Sequence, residues 1–302
     1  MHNLSTLIQD FLTNLELRNK SPKTLENYTH YLRRFQEFIE SRSEDQPKPQ
    51  DITLQTVQDY RIYLNRFLDD RKRPLSIKTQ NYHVISLRAF LKYLAKNDID
   101  TLAAEKIELA KIPQRTVEFL SREEVDRLFA AANSPRDRAI LETLYSTGLR
   151  VSELHNLNRQ QVDLDRREFS VRGKGQKARI VFLSDRAAQT IKTYLSTRDD
   201  NFDPLFINSG RGMKQDITNP DVRRLSTVSI EALVRKCARK AGIIKKVTPH
   251  TLRHSYATNL LQNGADIRSV QEMLGHSSIT TTQIYTHVTD KALREIHKKF
   301  HN

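Results

Sequence analysis

The chain is poor in the residues that mark several protein classes. Its 302 residues include a single cysteine, Cys237, which excludes an intramolecular disulfide and a cysteine-rich zinc site. Charged residues interrupt every apolar run, so neither a membrane span nor a signal peptide is expected. Glycine and proline are few, at 8 and 9, and no internal repeat or low-complexity tract is present. A cytosolic protein, long enough for two domains, is the simplest interpretation.

The chain also has fewer acidic than basic residues, and the difference is unevenly distributed along the sequence. The formal net charge is +14. Residues 1–110 hold 17 Lys and Arg against 15 Asp and Glu, whereas residues 111–302 hold 33 against 21, a net of +12. A strongly basic protein usually binds a polyanion, and nucleic acid is the leading candidate. The alternative is charge that serves only solubility.

The first hundred residues predict a compact helical domain. Four segments carry apolar residues at helical spacing, and Ser21-Pro22 and Ser76 are suitable helix starts. The apolar stripes indicate a core. Some basic residues between them could follow a DNA backbone or simply be solvated: Lys20, Lys23, Lys78, Arg88 and Lys92. We predict a DNA-binding helical domain over 1–105 and a linker over 106–118.

Residues 119–302 predict a second domain that mixes helices with a small sheet. Ser121 and Glu124 form a capping box, and a helix that opens at Ser134-Pro135 should end at Gly148. The short alternating segments QVDLD, EFSVR and ARIVFL, within 160–183, predict an antiparallel sheet whose last two strands flank the hairpin loop GKGQK. The fold class is therefore mainly α with a small antiparallel β-sheet.

One stretch, from Thr248 to His287, concentrates reactive and cationic side chains. Thr248 can cap a helix and Pro249 suits its first position, so His250 and Arg253 share one face of the first turn. A helix N-terminus attracts phosphate through its free N–H groups and its dipole. The pattern favours a phosphate clamp.

Five pieces of sequence, taken in order, resemble the motifs of the tyrosine recombinase, or phage integrase, family. They are TGLRVSEL (147–154), RGKGQKAR (172–179), HTLRHSYAT (250–258), LGHSS (274–278) and TTTQIYTHV (280–288). The resemblance covers residues 118–288, and the N-terminal helices resemble the core-binding domain of that family. The wording of GLRVSEL and GKGQKAR is most similar to the Xer subgroup.

The resemblance implies DNA strand exchange through a 3′-phosphotyrosyl intermediate and a Holliday junction. It implies Tyr285 as nucleophile, Arg150 and Arg253 as phosphate-binding guanidiniums, His250 as general base, Lys174 as general acid, and His276 as a phosphate ligand that helps to seat the tyrosine. Fixed positive charge suits a phosphodiester, on which attack builds negative charge. No metal, ATP or other cofactor is required in this scheme.

Each of these residues has a structural alternative. Arg150 could be a surface arginine paired with Glu153, and Lys177 competes with Lys174. His254 could stand in for His250, although we expect it to give structural support. Tyr256 and His287 could be confused with the site, but the alignment of Tyr256 with Leu252 and Leu260 favours packing.

The implied partner is double-stranded DNA with inverted half-sites, bound by a homotetramer or by a heterotetramer with a paralogous recombinase. The helix over 290–300 is expected to dock on a neighbouring protomer, or alternatively on its own domain. The leading role is resolution of chromosome dimers, which serves chromosome partition at cell division, by a cytoplasmic protein associated with the nucleoid. Integration of a mobile element is the alternative. A type IB topoisomerase and a non-catalytic helix-turn-helix regulator, suggested by ADIRSVQEMLGHSS, are remoter alternatives.

Overall fold

The computed structural model describes residues 3–42, 45–112, 118–173, 178–208 and 221–275. The chain divides into two compact units, Met1–Gln114 and Arg115–Asn302, which are described separately below.

The described residues of the first unit form four amphipathic helices. Each begins after a side chain, from Asn3, Ser21, Thr53 or Ser76, that accepts a hydrogen bond from a backbone N–H of the first turn, which satisfies a donor that the helix leaves free. The helices are α1 (Leu4–Leu17), α2 (Pro22–Glu40), α3 (Leu54–Arg66) and α4 (Ile77–Lys96).

The apolar faces of these helices meet in one core. Phe35, Tyr60, Phe90 and Leu94 are almost fully buried in it, as the helical spacing predicts. The segment that follows α4 is fastened to the same unit, because the Asn81 side chain both donates to and accepts from the backbone of Ala110, at 2.8 and 3.1 Å.

The second unit contains α5 (Arg122–Ala130), α6 (Pro135–Thr147), α7 (Val151–His155), strands β1 (Glu168–Arg172) and β2 (Ala178–Phe182), and helices α8 (Asp185–Leu195), α9 (Thr227–Lys240), α10 (Pro249–Gln262) and α11 (Ile267–Leu274). The capping box of Ser121 and Glu124 is present, and Gly148 ends α6 in the left-handed conformation, at φ 60°. Thr248 caps α10, as predicted.

Helix α6 forms the centre of this unit. It is buried on several faces, with Ala139, Ile140, Leu141 and Leu144 inaccessible to solvent, and it packs against α8 and α10. Neighbouring elements therefore cover most of its surface. Its C-terminus therefore lies at the middle of the domain, where the residues after it meet several elements.

The sheet is smaller than the sequence predicts. Strands β1 and β2 pair antiparallel, with Val171 opposite Arg179, but the predicted third strand, QVDLD, is wrong. Asp163 makes one isolated bridge to Glu168, and its carboxylate accepts from the backbone N–H groups of Asp165 and Arg166. Such side-chain bonds stabilise a tight turn in place of a continued ladder.

A mainly helical chain with a small antiparallel sheet is thus confirmed as the fold class. Within the ranges that the structure describes, no helix is long and apolar enough to cross a membrane. The predicted helix over 290–300 and the GKGQK loop after Gly173 lie outside the described residues.

Candidate active site

Arg150 lies at the junction between α6 and α7. The left-handed Gly148 turns the chain, and Arg150 then occupies the N-cap position of α7. Its Nη1 donates to the Glu153 carboxylate at 2.8 Å and its Nη2 to the backbone carbonyl of Gly275 at 3.2 Å. The ion pair with Glu153 is therefore present, yet the Arg150 side chain remains 28% exposed and can meet a ligand.

Arg253 lies on α10, three residues after His250, and is only 3% exposed. It donates through Nη1 to the carbonyl of Gly148 and through Nη2 to the carbonyl of Leu274, each at 2.5 Å. One guanidinium thus joins the end of α6 to the end of α11. Arg150 and Arg253 lie close together, since they donate to the adjacent carbonyls of Gly275 and Leu274.

The C-terminus of α11 is bound by three arginines. The successive carbonyls of Met273, Leu274 and Gly275 accept from Arg179, Arg253 and Arg150 respectively. The last carbonyls of a helix have no partner within the helix and form the negative end of its dipole, which suits guanidinium donors. Gly275, the last described residue of this segment, therefore lies directly beside the two candidate catalytic arginines.

Glu153 and Arg179 belong to this network, although the sequence does not single them out as site residues. Both Nη atoms of Arg179 donate to the two carboxylate oxygens of Glu153, at 2.9 and 2.8 Å, a bidentate pair. The carboxylate also accepts from the backbone N–H of Arg150 at 2.8 Å. Although burial opposes ionisation, these hydrogen bonds and positive charges prevail and lower the pKa of Glu153 to about 2.

His250 lies on the first turn of α10, exposed at the surface, as the capped helix start predicts. Protein atoms crowded around its ring lower its pKa, and the charges of Arg253 and Arg150 lower it further. His254, one turn along, is half-buried, and burial followed by the charges of His250 and Arg253 lowers its pKa to about 4. Both imidazoles are neutral at pH 7. The exposed one, His250, is the better placed to accept a proton from a bound substrate.

Tyr256 packs inside the domain, as its spacing predicts. Its ring lies so close to Gly148 that a Cβ added to that glycine would come within 2.5 Å of Cδ1. Its hydroxyl is 3.7 Å from the sulfur of Met273, and burial raises its pKa. A buried phenol with a raised pKa is a poor nucleophile.

An open cleft of about 790 Å³ lies beside Arg150. Its lining includes the N-terminal turn of α7, strand β1 and Gly173. The lining residues are Arg150, Ser152, Glu153, Asn156, Leu157, Gln161, Ser170, Val171, Arg172 and Gly173.

The remaining predicted site residues, Lys174, His276 and Tyr285, lie outside the described residues, as do Lys177 and His287. Across the part of the chain that the structure describes, no group of three or more His, Cys, Asp and Glu side chains is arranged to hold a metal ion.

Comparison with known proteins agrees with this geometry. Residues 118–292 match the model of the phage integrase family, and residues 7–101 match the N-terminal SAM-like domain of phage integrases. The chain therefore belongs to the phage integrase family and is a tyrosine recombinase, an enzyme of site-specific DNA recombination.

Within that family the chain is similar to Xer recombinases. It is 38% identical over 296 residues to tyrosine recombinase XerA of Thermococcus kodakarensis, covering 97% of this chain and 94% of the relative. A crystal structure of XerA recombinase superposes with a TM-score of 0.53 at 34% identity, over 98% of both chains. XerH bound to a palindromic difH substrate, in a post-cleavage complex, shares the fold with a TM-score of 0.69 at 23% identity, over 99% of this chain and 85% of that one.

Proposed function

We propose that the chain cleaves and rejoins double-stranded DNA through a 3′-phosphotyrosyl intermediate on Tyr285, and exchanges strands through a Holliday junction. One observation carries the proposal. Arg150 and Arg253 come from elements a hundred residues apart, yet they bind adjoining backbone, with His250 within reach of the charges of both. Two guanidiniums beside a neutral imidazole and an open cleft suit a phosphodiester that is attacked by an oxygen nucleophile.

Each side chain then has a defined role. Arg150 and Arg253 neutralise the charge that develops on the non-bridging oxygens of the scissile phosphate. A tyrosine hydroxyl has an ordinary pKa of about 10, so Tyr285 needs a base to attack at neutral pH, and His250 accepts its proton. Lys174 donates a proton to the leaving 5′-oxygen, and His276 binds the phosphate. The phosphotyrosyl ester conserves the energy of the broken bond, so rejoining needs no ATP.

The proposed partner is duplex DNA with inverted half-sites. XerH, which has the same fold, is bound to difH DNA in its crystal structure. Residues 1–105 would act as the core-binding domain and residues 119–302 as the catalytic domain, joined by a linker at 106–118. Four protomers would form the synapse, as a homotetramer or as a heterotetramer with a paralogous recombinase. The segment 290–300 of each protomer would dock on a neighbour and so link the four.

The similarity to XerA favours resolution of chromosome dimers in the cytoplasm as the biological task. Integration of a mobile element uses the same chemistry and is the second candidate.

A nicked suicide duplex tests the proposal. Its recognition site would be selected from a random duplex library by binding to the purified protein. We expect a covalent protein–DNA adduct that forms with the natural chain and is lost in Tyr285→Phe, while Tyr256→Phe, a matched change in a packing residue, retains it. Tight binding without any adduct would contradict the proposal and favour a regulator.

A second assay separates a recombinase from a topoisomerase. Plasmids with two copies of the selected site should give exchange products, whereas plasmids without it should be left unchanged. Relaxation of both plasmids with no exchange product would contradict recombination.

A further inference from the structure

The arrangement around Glu153 contains more positive charge than an ordinary ion pair needs. The Glu153 side chain is 5% exposed, and its carboxylate is held from two sides, by Arg150 of the α7 start and by Arg179 of β2. These two guanidiniums are the charged groups whose contacts with Glu153 the structure records among its described residues. Together the three side chains carry a net charge of +1.

Arg179 is not placed to touch a substrate itself. Its Nε donates to the carbonyl of Met273 at 3.1 Å and both Nη atoms donate to Glu153. Its side chain is 10% exposed. Gly275 closes over it, because a Cβ on that glycine would lie 3.0 Å from Cδ of Arg179. Arg179 can therefore influence the reaction only through its neighbours.

The consequence of Arg179 for Arg150 is electrostatic. Glu153 orients Arg150 through both its Nη1 and its backbone N–H, but a carboxylate 2.8 Å away also cancels much of the charge that Arg150 presents to an anion. Such cancellation is strong where water is scarce. A second cation on the same carboxylate, Arg179, restores the net charge and preserves the orientation.

We propose that Arg179 is a positioning residue that balances the charge of Glu153, so that Glu153 can orient Arg150 without cancelling its attraction for the DNA phosphate. The idea rests on the proposed function, because it assigns the purpose of the balance to the scissile phosphate. It also makes Arg179 act on the chemical step, in which phosphate charge develops, more than on the overall binding of DNA.

Three variants distinguish charge balance from a purely structural role of Arg179. Arg179→Met should slow adduct formation on the suicide duplex by about 10- to 100-fold, less than the roughly 100- to 1,000-fold typical for loss of a direct donor, because Arg179 acts through its neighbours. The change in the Kd for the intact duplex should be much smaller. The double variant with Arg179→Met and Glu153→Gln should form the adduct about tenfold faster than Arg179→Met alone, because the unbalanced carboxylate is removed. Arg179→Lys should stay within about fivefold of the natural rate, because it keeps the charge while losing the bidentate geometry.

The same domain offers a matched control. Glu142 is another buried carboxylate held by two arginines, Arg138 at 2.8 Å and Arg186 at 2.5 Å, and the other contacts of Arg186 are with Asp126 and Phe129. Arg186→Met should lower stability much as Arg179→Met does and leave the rate of adduct formation unchanged. If Arg179→Lys is as slow as Arg179→Met, or if the double variant is no faster than Arg179→Met, the charge-balance idea is overturned.

A measurement without DNA keeps this inference separate from the proposed function. The pKa of the Glu153 carboxyl, followed by carbon NMR in the protein alone, should rise from about 2 in Arg179→Met and rise less in Arg179→Lys. A pKa unchanged by Arg179→Met would contradict the balance, whether or not the natural protein forms an adduct. Absence of an adduct from the natural protein, together with the expected pKa changes, would instead contradict only the proposed function.

Discussion

At the scale of single residues, the imidazole of His250 is the side chain whose protonation state decides the proposed chemistry. A general base must be neutral when it accepts a proton. The protein atoms packed around His250, and then the charges of Arg253 and Arg150, lower its pKa from the ordinary value of 6.5. These arginines therefore serve the base as well as the phosphate.

A pH dependence follows from this shift. Adduct formation in single turnover should be at its full rate above the pKa of His250 and should fall as the pH drops through that pKa, below 6.5. Among the described groups of the site, the pKa is about 4 for His254 and about 2 for Glu153, so we expect the first acid limb to come from His250. A pH–rate profile of the natural chain and of His250→Gln checks this. The variant should be slow and should lack the limb, and an identical limb in the variant would assign it to another group.

The sequence predicts the catalytic candidates better than it predicts their support. His250 and Arg253 can be placed on one helical turn from the spacing alone, and Arg150 follows from the glycine that ends α6. Glu153 is expected only as a partner of Arg150, and its pairing with Arg179 escapes notice because the two residues are 26 positions apart in the chain. Their roles depend on tertiary contacts, which spacing within one element does not encode.

At the scale of elements, the turn between α6 and α7 is the most constrained junction in the second unit. Gly148 adopts φ +60°, lies against the Tyr256 ring and Leu274, and offers its carbonyl to Arg253. Gly242, which ends the α9 region at φ +67°, has no neighbouring atom within 4 Å of an added Cβ. The two glycines share a backbone conformation and differ in packing.

Substitution of these glycines by alanine should therefore separate strain from crowding. Gly242→Ala should cost about 1 kcal/mol of unfolding free energy, from the left-handed backbone alone. Gly148→Ala should cost about 2–4 kcal/mol, since the new methyl group must also displace Tyr256, and it should slow adduct formation by moving Arg150 and Arg253. Urea unfolding followed by circular dichroism measures the difference. Equal costs for the two variants would show that the close contact at Gly148 relaxes freely.

The starts of the helices are the features that the sequence predicts best, because the interactions that fix them are local. Ser121, Ser134 and Thr248 each satisfy free N–H groups of a first turn, an interaction within four residues that the sequence displays directly. The prediction of a third strand is wrong because the alternation in QVDLD does not reveal that the Asp163 carboxylate accepts hydrogen bonds from the backbone two and three residues later. Interactions between residues close in the chain can be predicted from the sequence. Whether a segment forms a turn or pairs as a β-strand depends on tertiary contacts.

At the scale of the whole molecule, the excess positive charge is concentrated as well as large. Residues 235–246, RKCARKAGIIKK, contain six Lys and Arg and no acidic residue, which is half of the net +12 of residues 111–302. Some of these cations are committed within the protein, as Lys245 is to Glu124 at 2.7 Å. Lys236 and Arg239 are exposed on α9 and are the natural candidates to neutralise DNA phosphates.

DNA binding should then depend steeply on salt, and these two residues should carry a measurable share of that dependence. Each phosphate neutralised by a cation contributes about 0.9 to the slope of log K against log salt concentration, because a counterion is released. Lys236→Gln and Arg239→Gln should each reduce the slope by about 1, with similar weakening on the selected site and on random duplex. Lys192→Gln is the matched control, since Lys192 is exposed and paired with Asp165 at 2.8 Å, and it should leave the slope unchanged. Fluorescence anisotropy titrations at several salt concentrations measure the slopes. Equal slopes for the natural chain and both α9 variants would move the phosphate-binding surface away from this end of α9.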